Sequence, residues 1–429
     1  MFRRYLTKAM ILAIAGVGLS TSAARAQIGV ALTGAGPIDR SMGGAAVAAP
    51  LDASGALFWN PATMSGLSRS EMEFGAELLY PRTKVSSSIA NLAGPDTNRS
   101  DAGIFPVPSF GLVYKPEESC WSFGLGLFGS GGFGVNYSAS NTNVILTPQP
   151  PNGVGLGAVY SQFQILQLAP SASYQVNQHL SVGFSPTIDM AILSVEPDVF
   201  APPNPNGAYS AATHGVVTWG LGCQAGVYYT TDAAWSFGAA VKSPQWLEPF
   251  RYNSTDAFGR PRTLKIHLDY PLMASLGASY TGFDRWLLAA DLRYVDYRNT
   301  AGFQQTGFDK QGALRGLGWQ SIFALALGAQ YQWTDTIALR AGYSFNMNPE
   351  GNAVATYNLA SPTIIQNTIS LGASYDVTRA LQLSVAYVHF FQNTIHGPII
   401  EPSVGAVPGS AVRSTTAADS VVVGASVIF

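Results

Sequence analysis

Ser420-Val421-Val422-Val423-Gly424-Ala425-Ser426-Val427-Ile428-Phe429 closes the chain, and its reading decides the fold. Val421, Val423, Ala425, Val427 and Phe429 fall on one face of an extended segment, while Ser420, Gly424 and Ser426 share the other with Val422 and Ile428. Side chains alternate across a strand, so this run is oily on one side and small or uncharged on the other. Leu381, Leu383, Val385 and Tyr387 alternate with Gln382, Ser384 and Ala386 in the same way, and Ile369, Leu371, Ala373 and Tyr375 with Ser370, Gly372 and Ser374. Working back to Glu71, such segments number about fourteen. They begin near Glu71, Val107, Trp121, Tyr160, Leu180, Val216, Trp235, Thr263, Arg285, Trp319, Thr336, Gln366, Ala380 and Ala417.

The connections carry more weight than the count. Tight ones fall at Lys115–Ser119, Asn177–His179, Thr230–Asp232, Gly282–Asp284, Thr334–Asp335 and Asp376–Thr378, at every second junction. Long, Pro/Gly/Asn/Ser-rich ones lie between them, from Pro81 to Pro106, Ser130 to Val159, Glu196 to Gly215 and Met347 to Ile365. Short turns on one side and long loops on the other are the asymmetry of outer-membrane barrels, with the short turns periplasmic. The sheet must close, because an unpaired edge in hydrocarbon leaves amides without partners at a cost of several kcal/mol each. The expected fold is therefore all-β, a transmembrane antiparallel barrel of residues 70–429.

Composition agrees. Charged residues make up 11% of the 429-residue chain, less than half of the roughly 25% usual in soluble domains. After residue 26 no apolar run is long enough to cross a bilayer as a helix. A formal charge of −2 offers no broad basic surface for nucleic acid. Cys120 and Cys223 are the only cysteines, so the fold does not rest on a disulfide framework, although one bridge is compatible with it. Arg3, Arg4 and Lys8 precede an apolar stretch from Ala9 to Leu19 and the small-residue exit Ala24-Arg25-Ala26, which predicts a secretory signal peptide over residues 1–26. Residues 27–69 are crowded with Gly, Ala, Ser and Pro, lack sustained alternation and are too apolar for a linker. A compact segment ahead of so wide a barrel is expected to fold inside it as a plug, since an empty lumen would leak.

In that stretch Gly34-Ala35-Gly36, Ser41-Met42-Gly43-Gly44-Ala45, Asp52-Ala53-Ser54 and Asn60-Pro61-Ala62 follow one another in an order and spacing that resemble the N-terminal hatch of FadL-type long-chain fatty-acid transporters. The terminal Phe429 fits that resemblance, as do Trp219 to Tyr229, Leu268 to Gly302 and Ser321 to Phe345. The resemblance implies a monomeric fourteen-stranded barrel and a hatch with Gly43, Gly44, Asp52, Asn60, Pro61 and Ala62 as its signature. It also implies a hydrophobic small-molecule ligand captured in an apolar lumenal pocket, no cofactor, and a kinked third strand that lets cargo leave sideways into outer-membrane lipid. The stretch matching the kink is Phe128-Gly129-Ser130-Gly131-Gly132-Phe133-Gly134. Glycines inside a strand weaken pairing and permit a bulge, which suits that role. The bland alternative there is a flexible loop entry, and for Asn60-Pro61 an ordinary turn.

Gly129, Gly131 and Gly134 also satisfy G-x-G-x-x-G, but no helical period follows them, so a dinucleotide site is not expected. His179, His214, His267, His389 and His396 are scattered without metal-ligand spacing, and no nucleophile elbow accompanies them, so neither a metal site nor an enzyme is expected. On the period-two register Glu71, Glu73, Glu77, Asp189, Lys242, Lys265, His267, Asp291, Arg293 and Arg340 take the less apolar faces. Most are expected to pair with one another in the lumen, with Lys242, Lys265, Arg293 and Arg340 as candidate contacts for a substrate carboxylate. FadL-type fatty-acid members carry basic residues near the outer end of the fifth strand, whereas Val195 to Phe200 offers Glu196 and Asp198. That departure widens the expected cargo to neutral hydrocarbons and monoaromatics. The competing class is a surface or adhesive barrel whose lumen never conducts.

Overall fold

The computed structural model describes residues 28–256 and 258–429, and the expected leader over residues 1–26 lies outside them. Fourteen strands form the wall: β1 (Glu71–Ile89), β2 (Phe105–Tyr114), β3 (Trp121–Tyr137), β4 (Val159–Gln175), β5 (Leu180–Glu196), β6 (Ala212–Thr230), β7 (Trp235–Lys242), β8 (Met273–Tyr280), β9 (Trp286–Val295), β10 (Ile322–Gln332), β11 (Ile337–Asn346), β12 (Asn367–Asp376), β13 (Leu381–Gly397) and β14 (Ser410–Ile428). Each is antiparallel to its chain neighbours, and β14 returns to β1 along Glu71↔Ile428 to Ile89↔Ser410, which closes the barrel.

The alternation read from the sequence sets the two faces. Phe74, Leu78, Tyr80, Leu292, Leu371, Val385, Val421 and Val423 are exposed on the outer face, whereas Glu73, Glu77, Asp291, Arg293 and Val422 are buried inside. Three expectations need correction. The segment begun near Thr263 is no wall strand, because Pro261–Ile266 pairs with Phe250–Thr255 in a hairpin beyond the rim and the wall resumes at Met273. Leu264 and Ile266 alternate because they cover apolar side chains under that hairpin rather than lipid. The stretch from Pro81 to Pro106 is mostly strand, with β1 running to Ile89 and Ala93–Arg99 folding back on it, and β3 likewise runs on to Tyr137. Beyond the bilayer a strand keeps its pairing but loses its apolar face, so hydropathy stops before the strand does.

Residues 28–64 lie inside the barrel, nearly all of them buried. Two short helices, α1 (Gly36–Ser41) and α2 (Ala53–Trp59), have every residue buried. Pro37 opens α1, and Asp52 caps α2 by accepting from Gly55 N at 3.3 Å. Asn60 then starts a 3₁₀ turn, Pro61–Gly66, its Oδ1 accepting from Ala62 N at 3.1 Å. The plug backbone touches the wall where inward positions are glycine. A Cβ at Gly183 would overlap the Ala62 backbone, at Gly226 the Asn60 side chain, at Gly238 the Val47 carbonyl and at Gly342 the Gly43 amide.

Candidate functional site

The β2–β3 ladder spans only Ser109–Tyr114 against Phe123–Phe128. Above it β2 continues as Phe105-Pro106-Val107-Pro108, paired with β1 alone, and β3 continues from Gly129 paired with β4 alone, with a bulge at Ser130. Two strand edges face each other here without a ladder. Proline offers no N–H and is tolerated only on such edges, so Pro106 and Pro108 mark the same discontinuity from the opposite side. Higher still the wall closes again, where Asp101 N donates to Asn136 O at 2.8 Å and Asn136 N to Ser100 Oγ at 2.9 Å. Side chains bridge the gap: the Phe105 ring lies beside Gly134 and Val107 beside Gly129.

A cavity of about 300 Å³ runs through the gap, from Leu32 and Phe163 on the lumen side to Leu166 and Met190 on the outer face. Leu32, Leu79, Phe105, Phe133, Phe163 and Met190 supply much of its apolar surface, and Thr83, Gln164, Thr363 and Thr416 its polar side chains. No Lys, Arg, His, Asp or Glu lines it. Its volume is at the lower end of the range for small-molecule pockets.

Buried backbone groups need partners, and those freed by the bulge find them in the plug. Leu32 N donates to Ser130 O at 3.1 Å and Gly132 N to Val30 O at 2.9 Å. A Cβ at Gly131 would run into the Val30 carbonyl and come within 3.2 Å of the Tyr270 ring. Tyr270 OH donates to Ser130 O at 3.2 Å. Tyr297 OH donates to Ile28 O at 2.5 Å and accepts from Val30 N at 2.9 Å. The first residues of the plug thus form one hydrogen-bonded unit with the bent strand.

Below this unit the sequence-predicted polar residues hold the plug to the wall. Asp291 accepts from Ala46 N at 2.9 Å and Val47 N at 3.1 Å, and pairs with Arg293 at 2.6 Å. Arg293 also donates to the Gly44 carbonyl and stacks over Trp59, its guanidinium carbon 3.6 Å from the ring centroid. Gly43 and Gly44 take positive φ, +67° and +82°, which glycine adopts without a Cβ clash. Asn60 donates to Val47 O at 2.8 Å and Val227 O at 3.0 Å. Lys242 donates to Gln167 at 3.0 Å and stands 4.6 Å from the Phe58 ring, while Arg340 donates to Gln330 at 2.6 Å and Ser374 at 2.5 Å. None of these cations lines the cavity. Lys265 belongs elsewhere, exposed on the Pro261–Ile266 hairpin, because the wall strand to which it was assigned begins later.

Sequence reasoning missed several participants. Arg40 pairs with Glu77 at 2.5 Å, and Asp39 accepts from Ala35 N at 2.9 Å and Trp59 Nε1 at 3.1 Å. Burial pushes the Asp39 carboxyl up to about 7 against the hydrogen bond from Ala35 and the nearby arginines. Tyr270 sits just ahead of β8 and Tyr297 opens a 3₁₀ turn after β9, and neither carried a signal beyond being aromatic. Pro106 and Pro108 did carry one, since two prolines in a strand require an unpaired edge. Cys120 and Cys223 are both free.

A closed barrel with an outward apolar band and a lumen filled by its own N-terminal segment is a plugged outer-membrane barrel. The chain belongs to the outer membrane transport protein family described as OMPP1/FadL/TodX, whose model matches residues 16–429. It is 22% identical to an outer membrane protein of Neisseria meningitidis, over 82% of this chain and 84% of that one. Its fold is similar to that of the toluene transporter TodX of Pseudomonas putida (TM-score 0.67, 20% identity, 92% of this chain and 99% of that one). It is also similar to a FadL homologue of Pseudomonas aeruginosa (TM-score 0.71, 18% identity, 94% of this chain and 100% of that one). The protein is located in the outer membrane.

Proposed function

We propose that this protein carries neutral apolar molecules, such as monoaromatic or other hydrocarbons, passively across the outer membrane and releases them sideways through the gap between β2 and β3. The observation that carries this reading is the uncharged cavity in a stretch of wall with no ladder. A cargo carboxylate placed there would lose its water without meeting a cation, which is costly. Every CH₂ that escapes contact with periplasmic water saves about 0.8 kcal/mol, so leaving into the bilayer favours an apolar solute. The likeness to a toluene transporter agrees with such cargo, and long-chain fatty acids are the second candidate through the family.

The plug takes part in release. Withdrawal of Val30–Leu32 from Ser130 and Gly132 removes the bonds that fix the bend, and the gap then widens where only Phe105 and Val107 hold it. The helices of the plug, seated on glycines and tied by Asp291, Arg293 and Asn60, stay in place. Uptake of labelled toluene and labelled oleate by cells that depend on this protein tests the reading. Toluene uptake above that of cells without the protein, with oleate taken up more slowly, is expected. Uptake of oleate alone would contradict it.

A further inference from the structure

The outer face of the barrel carries its cations in one place. Through β5 to β12 the outward positions hold no Lys or Arg. On β13, β14 and β1 the apolar face ends at Tyr387, Val421 and Tyr80, and the next outward residues are His389, Asp419 and Arg82. Lys84 follows on β1, Arg413 on β14, His396 on β13 past a bulge, and Arg99 on the Ala93–Arg99 strand beside them. From Glu71 to Arg82 is about the number of residues that crosses a hydrocarbon core as a tilted strand. The group therefore stands at the level of the outer-leaflet headgroups.

Within the group one carboxylate is fully engaged. Asp419 pairs with Arg82 at 2.7 Å and His389 at 2.6 Å and accepts from Tyr387 OH at 2.6 Å. Lys84, Arg99 and Arg413 have no such partner among the ion pairs of the described residues. They are also set against their own kind: Lys84 lies directly across from Arg99, and Lys84 and Arg413 are diagonal neighbours. Like charges directly opposite on one sheet face destabilise it. A counter-anion would relieve that repulsion, and at this depth the anion at hand is a lipid phosphate.

We propose that Lys84, Arg99 and Arg413, with Arg82 oriented by Asp419, bind the phosphorylated headgroup of an outer-leaflet glycolipid while its acyl chains lie on Tyr80, Leu78, Tyr387 and Val421. Arginine takes phosphate oxygens in pairs and lysine adds a point charge. Each cation near a charged lipid surface contributes, and salt weakens the sum. The site does not depend on what the lumen transports.

The test uses the full barrel in phosphatidylcholine nanodiscs doped with a bis-phosphorylated lipid A, with retained lipid A per barrel read by native mass spectrometry. Combined Lys84→Gln, Arg99→Gln and Arg413→Gln is expected to lower retention at least about tenfold, from three lost surface charges. Lys84→Arg alone keeps it, as do Arg251→Gln, Arg260→Gln and Lys265→Gln on the distant hairpin. Dephosphorylated lipid A is not retained by the wild type. In lipid-free detergent the triple variant melts no lower than the wild type, because repulsion has been removed. Undiminished retention by the triple variant, equal retention of the dephosphorylated lipid, or an equal loss in the hairpin variant would each overturn the proposal.

Discussion

The plug seat and the gap above it occupy the same lumen and are built by opposite rules. At the seat, backbone touches wall at Gly183, Gly226, Gly238 and Gly342, and buried charges meet in pairs at Asp291–Arg293 and Arg40–Glu77. At the gap, wall edges face each other unpaired, prolines remove donors, and uncharged, mostly apolar side chains fill the space. Interdigitated backbone and desolvated ion pairs have one good arrangement and lose heavily when disturbed. Apolar contacts across a slot have several arrangements of similar energy. The difference supports the proposed division of labour, in which the helices of the plug hold while its first residues and the gap give.

The largest effect is expected where the seat is charged. Arg293→Met leaves Asp291 buried without its partner and costs about 3–5 kcal/mol of plug seating. Small hydrophilic antibiotics should then enter cells expressing the variant, whereas an unchanged permeability would mean that other contacts hold the plug. Gly238→Val pushes a side chain into the Val47 carbonyl and is expected to cost about 1–3 kcal/mol, read as faster hydrogen exchange across residues 28–69.

Asp39 gives the seat a pH dependence whose sign is fixed. Its carboxyl ionises near 7 when seated and near 4 when free, so between those values the seated plug retains a proton that the released plug has lost. Seating is therefore strongest below about pH 4 and weakens as pH rises towards 7, then levels off. Asp39→Asn should flatten that slope in plug hydrogen exchange without removing it, because burial also raises the Asp52 carboxyl, and an unchanged slope would place the titrating group elsewhere. At the gap the effects are smaller. Phe105→Ala removes the ring beside Gly134 and should raise toluene uptake by about two- to threefold, less than 1 kcal/mol of barrier, with the melting temperature nearly unchanged.

The same contrast explains what the sequence disclosed. Wall strands were legible where they cross lipid, because the bilayer demands an apolar face on every second residue, as from Trp286 to Tyr294. Legibility failed where strands leave the membrane, as at Thr83 to Ile89 and Val135 to Tyr137, and at Pro261–Ile266, whose alternation serves a loop core. The glycines of the bend stood out because several fall together. The glycines of the seat did not, since each strand contributes one and only the fold brings them to a common level. Arg293 was placed inward correctly by register, yet its partners Gly44 and Trp59 are more than two hundred residues away in the chain.

The most direct measurement locks the gap. A Cβ at Gly129 would stand 3.6 Å from the Val107 Cβ, within the range a disulfide bridges. With Cys120 and Cys223 replaced by serine, combined Val107→Cys and Gly129→Cys should join β2 to β3 on oxidation. Oxidised cells are predicted to take up toluene no faster than cells lacking the protein, with dithiothreitol restoring the rate. Full uptake through the oxidised, cross-linked barrel would contradict sideways release.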